Sequence, residues 1–254
     1  MGHYDHTDMG GVRESFLTTH WSLVEDIKRK QDNNVLIGLL LERYWKPVYC
    51  FLRRKDYNNE QAKDLTQDFF REVVLNRHLV HRAHASKGRF RTFMLHALDQ
   101  YVVDQQRKET AQKRIPGDKL VQLDDCDPSV FDETMCELDA ENGFNYAWKA
   151  GLLDCVLAEV KDSYVKQDRE THWCVFQDRL LKPILEDRKA PSMKEICRQH
   201  GIKSERNASN MLKTVKRLFQ TTMRKHVRQT VASDEAVEDE LREIFEFFGN
   251  RRTK

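Results

Sequence analysis

An all-α protein of two helical domains is what the pattern of this chain predicts, and three observations carry that expectation. Apolar residues recur at three- and four-residue intervals over long stretches, strict alternation is rare, and ten Gly and five Pro are few for 254 residues. That length exceeds one small core and suits two compact domains of roughly 100 residues each. Charged residues make up 33% and hydrophobic residues 39%, a charge-rich balance that still supports a core. No apolar run approaches the ~20 residues of a membrane span, so no membrane insertion is expected, and residues 1–11 do not read as a signal peptide. The six cysteines (Cys50, Cys126, Cys136, Cys155, Cys174, Cys197) show no CxxC spacing and read as reduced thiols of a cytoplasmic protein.

Residues 1–15 are expected to be disordered, and a first helical domain to cover 16–114. Thr18 or Thr19 is placed to cap a short helix with Trp21, Val24 and Ile27 on one side. A longer helix from about Asn34 to Arg54 turns Leu36, Leu39, Leu40, Val48, Phe51 and Leu52 inward, with Pro47 expected to kink it. Asn58 or Asn59 caps the next helix, where Ala62, Leu65, Phe69 and Val73 form the inner stripe while Asp64, Gln67, Asp68 and Arg71 point elsewhere. Residues 78–88 look like a loop. Residues 89–114 then read as one helix with Phe90, Phe93, Met94, Ala97, Leu98 and Tyr101 as its apolar stripe. Pro116-Gly117 ends the domain, and 115–142 is an acidic linker too poor in apolar residues for a core.

The second domain is expected over 143–232. Trp148, Leu152, Val156 and Val160 make one stripe, and Trp173, Phe176, Leu180 and Ile184 another. Ser192 with Glu195 three residues on has the form of a capping box, Gly201 permits a tight turn, and a basic helix follows from about Glu205 to Val227. Residues 233–254 form an acidic, amphipathic tail with Ala236, Leu241, Ile244, Phe245 and Phe248 on its apolar side.

Charge is strongly segregated beneath a net +2. Residues 71–114 hold ten Lys/Arg against four Asp/Glu, a local +6, and 118–141 hold one Lys against nine acids, a local −8. Residues 203–228 carry +7 and 234–246 carry −6. Two basic faces separated by an acidic stretch suggest polyanion binding at both. The tail lies close in sequence to the +7 helix, so it is expected to fold back on that helix's domain and shield its basic surface.

Three motifs carry the chemistry. In PSMKEICRQHGIKSERNASNMLKTVKRLF, a short helix, a Gly-containing turn and a second helix have the order of a helix-turn-helix, whose second helix enters the major groove. Arg206, Asn207, Ser209, Asn210 and Lys213 would face base edges, Arg and Asn being able to bond guanine and adenine bidentately. Lys216, Arg217, Arg224 and Lys225 would hold phosphates. In DLTQDFF, Asp64 and Asp68 share a helix face with Gln67 beside them, and Phe70 adds an aromatic suited to a basic, amphipathic protein partner. In GRFRTFMLHALDQYVVDQQRK, Arg89, Arg91, His96, Gln100, Arg107 and Lys108 supply the cations, imidazole and amide that capture of a single strand needs. The rings of Phe90 and Phe93 read as core. His78, His81 and His84 recur every third residue without a Cys or carboxylate at ligand spacing, so no metal is expected. Nor is a cofactor or enzymatic activity, since no GxxxxGK[ST], HExxH or GxSxG occurs.

Together, in this order and spacing, the three motifs resemble a bacterial sigma factor of the extracytoplasmic-function class, over most of residues 16–232. The resemblance implies that Asp64, Gln67, Asp68 and Phe70 dock on the clamp of the largest subunit of core RNA polymerase, and that the flap of the second-largest subunit is a further contact. It implies that 89–108 open and bind the minus-ten element, with 81–87 as the base-specificity loop. The helix-turn-helix would read the minus-thirty-five element, and an anti-sigma or other regulatory protein would be a further partner. Three positions depart from the family pattern: Gln100 stands where Asn is frequent, His200 where leucine is usual, and Cys197 where alanine is usual. Two other functions fit the same residues: a stand-alone helix-turn-helix transcriptional regulator, and a sigma-like polymerase adaptor that does not open promoters.

Overall fold

The structure, a computed structural model, describes residues 21–29, 34–76, 79–84, 88–112, 139–186, 188–231 and 233–249. The described chain is all-α. Its helices are α1 (Trp21–Arg29), α2 (Asn34–Arg54), α3 (Asn59–Phe69), α4 (Leu79–Arg82), α5 (Phe90–Gln112), α6 (Ala140–Val165), α7 (Glu170–Phe176), α8 (Lys182–Leu185), α9 (Met193–His200), α10 (Glu205–Arg228) and α11 (Asp234–Gly249). Wider, π-helical turns continue α3 over Phe70–Asn76 and α7 over Gln177–Leu181. The expected disordered start and residues 115–138 of the expected linker lie outside the described residues.

Packing divides the chain into two compact units: residues up to Leu152 together with those from Val227 onward, and Leu153–His226. The boundary falls inside α6, whose first half belongs to the first unit and second half to the second. Among the described residues, no helix is long and apolar enough to cross a membrane.

The first unit forms around aromatic residues. Tyr44, Tyr49, Leu52, Phe69, Met94, Leu98 and Phe144 are among its fully enclosed side chains. Phe90 meets the edges of Trp21 and Tyr44 at 5.9 and 5.6 Å between centroids, and Tyr44 stacks on Phe144 at 6.3 Å. Such pairs each contribute about 0.5–1.5 kcal/mol beyond area burial. Helix α2 runs through Pro47, and Asn58 caps α3 in a full capping box with Gln61. Residues 79–82, read from sequence as loop, form the helical turn α4 because Leu79 and Val80 are both buried.

α6 opens at Asp139, whose carboxylate accepts from the Asn142 amide at 2.8 Å, so the last residues assigned to the linker begin a helix. Helix α11 packs in this same first unit. Val237, Leu241 and Ile244 are buried, each contributing about 1.5–3 kcal/mol of gross apolar burial. Phe245, expected on the apolar side, is 47% exposed, and the side chain of Phe248 is outside the described set.

In the second unit, Val175, Ile196 and Ala208 form a small core on which Met193, Cys197, Ile202, Met211 and Leu212 pack. Trp173 and Phe176 adjoin each other at 5.6 Å, and Phe176 meets Phe219 at 6.0 Å. The expected stripe breaks at its end, for Ile184 is 50% exposed. The π-helical turn at 177–181 holds more residues per turn than an α-helix, so a 3.6-residue extrapolation overshoots, and Asp178 turns inward instead.

Candidate nucleic-acid interface

Local signals build the α9–α10 pair. Ser192 accepts from the Glu195 amide while Glu195 accepts from the Ser192 amide, so both ends of the capping box are closed. Gly201 then adopts φ 64°, the left-handed conformation a side chain would resist, and the Ile202 amide bonds back to the Cys197 carbonyl at 2.9 Å. This is the bond of a Schellman turn, with Ile202 packed on the core as its apolar clasp. Ser204 opens α10 by accepting from the Asn207 amide.

Buried Ala208, Val215, Met223 and Val227 hold one side of α10. Arg206, Asn210, Lys213, Arg217 and Arg224 are exposed and recur at intervals of four, three, four and seven, which places them along one opposite stripe. Asn207 and Lys216 are exposed beside that stripe, and Ser209 is half-buried.

His200, the odd residue of α9, has a structural partner that sequence reading missed. Its Nε2 lies 2.9 Å from Asp178 Oδ2, which also accepts from Gln199, while Lys182 pairs with Oδ1 at 2.6 Å. Burial raises the Asp178 carboxyl, but Lys182 and His200 overcome this and hold it below its ordinary value. The polar cluster ties α9 to the π-helical turn where a leucine would have filled space. At the other end of α10, Glu159 accepts from His226 at 2.6 Å and Lys225 at 3.0 Å, so Lys225 is already engaged within the protein.

On α3 the carboxylate face is present: Asp64 and Gln67 are exposed and Asp68, half-buried, pairs with Arg71 at 2.6 Å. Phe70 is not part of it. It is 3% exposed, stacked on Trp45 at 6.0 Å and edge-on to Phe69 at 5.5 Å. The change from α to π at this residue brings two consecutive phenylalanines inward, which corrects its assignment as a docking aromatic.

The six residues expected to hold a single strand separate into three environments. Arg107 and Lys108 are exposed near the end of α5. His96 and Gln100 bond to each other at 3.1 Å and line a pocket of about 170 Å³ with Val73, Leu79, Arg82, Phe93, Ala97, Tyr101 and Asp104. That is below the roughly 300–1,000 Å³ of drug-sized sites and suits a single flat ring among an aromatic, an amide, an imidazole and a cation. The Tyr101 phenol there is pushed up to about 12 by burial, then by Asp68 and Glu72, so it stays protonated.

Arg89 and Arg91, at the opening of α5, are already occupied. Arg91 is 5% exposed, lies 4.5 Å from the Trp148 ring centroid, and pairs with both Glu240 and Glu243 of α11. Arg89 Nε is 2.6 Å from Glu240 Oε2, at ion-pair distance though off the line of a hydrogen bond, and Arg89 also pairs with Glu243. Buried Lys149 reaches the Glu243 carbonyl at 3.4 Å. Burial raises the Glu243 carboxyl, yet Arg89 and Arg91 hold it below its ordinary value. Arg91 is therefore no surface cation, and the expected docking of the tail on the α10 domain is corrected to docking on the first unit. Local pattern could not show either, because Arg91 and Glu240 are 149 residues apart.

No family model matches this chain, and neither a curated protein nor a solved structure does.

Proposed function

We propose that the protein is a sigma-type promoter-recognition subunit: it binds core RNA polymerase, contacts promoter DNA through α5 and α10, and helps open the duplex. The observation that carries this reading is α10. A closed cap on α9, a left-handed Gly201 and a buried apolar side on α10 leave Arg206, Asn210, Lys213 and Arg217 on one exposed stripe. The 24 residues of α10 span about 36 Å, whereas the major groove is about 12 Å wide. Its first turns would read bases and its later cations would follow phosphates. The pocket beside His96 and Gln100 supports a second contact, to an unstacked base. Exposed Asp64 and half-buried Asp68 on one helix face support a polymerase contact without Phe70. The protein itself makes no phosphodiester bond in this scheme.

Run-off transcription with core polymerase and promoter fragments tests it. The wild-type chain is expected to start transcription, and Asp64→Lys/Asp68→Lys to lose co-purification with core while keeping its helical circular dichroism. Like charges at a docking surface cost several kcal/mol, roughly a hundredfold or more in affinity. Tight, sequence-specific binding of the free protein with no polymerase dependence would replace this reading with a stand-alone regulator.

A further inference from the structure

We propose that α11 is an acidic plug on the first unit, its Glu240 and Glu243 holding Arg89 and Arg91 where nucleic-acid phosphates would otherwise lie. The inference rests on the reading of α5 as a nucleic-acid contact and adds the regulation of that surface.

Two carboxylates bridging two guanidiniums present the same charge-assisted acceptors that a phosphodiester would offer. With α11 in place Arg91 is sealed, so no polyanion reaches it. The outer side of α11 adds exposed Glu235, Glu238, Asp239 and Glu246, which repel an approaching strand. The plug is also tethered at short range. Arg228 pairs with Asp234 across the turn before α11, and the Trp21 amide bonds the Gln229 carbonyl at 3.1 Å. An intramolecular competitor so placed acts at high effective concentration. Charge holds it together with the buried Val237, Leu241 and Ile244: neutralising the two carboxylates leaves two guanidiniums and Lys149 together without an anion, which weakens the docking of α11.

The test is binding of a fluorescein-labelled, mixed-sequence single-stranded oligonucleotide by the full chain, followed by anisotropy across a salt series. Glu240→Gln/Glu243→Gln is expected to bind roughly tenfold tighter than wild type at low salt, with a salt slope steeper by about 1.4 for two recovered phosphate contacts. Arg107→Ala/Lys108→Ala, which leaves the plug intact, is expected to weaken binding in both backgrounds. Equal affinity of wild type and the Gln variant, with Arg107→Ala/Lys108→Ala still weakening both, overturns the plug and leaves the nucleic-acid reading standing. Absence of binding by every variant overturns the nucleic-acid reading and the plug with it. Hydrogen exchange on the wild-type chain serves as well if the Gln variant does not fold. Amides of α11 are expected to lose protection at saturating oligonucleotide, and unchanged protection there overturns the plug.

Discussion

Helices α5 and α10 are nearly the same length, 23 and 24 residues, and the stretches that hold them carry similar excess charge, +6 and +7. Their cations are nevertheless in different situations. On α10, Arg206, Lys213, Lys216 and Arg217 stand exposed along or beside one stripe, and the carboxylates that do engage the helix sit at its far end. At the opening of α5, Arg89 just before the helix and Arg91 within it are consumed by α11, and the exposed pair, Arg107 and Lys108, lies some four turns beyond Arg91. Charge count in a sequence therefore measures potential for polyanion binding, and only packing determines which charges are available.

The largest effect expected from this contrast is at Glu240. It is fully enclosed, and breaking a buried pair by removing one partner costs about 3–5 kcal/mol because a charge is left unmatched. Undocking of α11 caps that cost, so Glu240→Ala should lose α11 protection in hydrogen exchange while α10 is unaffected. Unchanged protection of α11 would mean that Arg91 does not depend on the tail. A middling effect is expected on α10. Arg206→Ala should cost about 1–3 kcal/mol on the preferred upstream sequence and little on others. Lys216→Ala should weaken all sequences alike and lower the salt slope by about 0.9. Holoenzyme binding to single-base promoter variants measures both, and equal losses for the two substitutions would break the division of the helix into reading and holding residues.

The smallest effect concerns acid. His172, stacked on Tyr164 at 5.6 Å, is held below its ordinary value of 6.5 by burial and by Arg169. A depressed histidine contributes stability that is present above 6.5 and lost as pH falls through its folded value. Glu243 is depressed below 4.5, so its contribution is intact above 4.5 and is lost only in stronger acid. Between pH 6.5 and 5, the protection of α7 relative to the intrinsic exchange rate at each pH should therefore fall while that of α11 is kept. Loss of α11 protection first would reverse the comparison.

Much of the helical framework was legible from spacing alone. Asn58, Ser192 and Gly201 were readable because capping and left-handed turns are set by a few adjacent residues. The stripe of Trp148, Leu152, Val156 and Val160 is buried throughout because α6 keeps the α-helical period there. What escaped is of two physical kinds. Phe70 and Ile184 were misplaced because a π-helical turn changes the period locally, and no composition signal announces it. Arg91 and the tail were misplaced because a buried cation needs a partner, and its partner lies far along the chain. The Asp178–His200 contact belongs to the second kind, although Asp178 and Lys182 at four-residue spacing hinted at an ion pair.

The wide turn over 70–76 has a consequence for how this protein tolerates insertion and deletion. A π-helical turn accommodates about one residue more than an α-helical one. Removing a single residue between 71 and 75 would let the segment close into continuous α-helix and, because the extra residue is what the wide turn absorbs, would leave its end at nearly the same angle to α3. Leu79 and Val80 would then keep the buried positions they now fill, and the pocket wall that Leu79 helps build would stay in phase. The register of this wall is thus a matter of counting: one residue removed from the wide turn should do less harm than one removed from the middle of α5, where the helix beyond would rotate by about 100°.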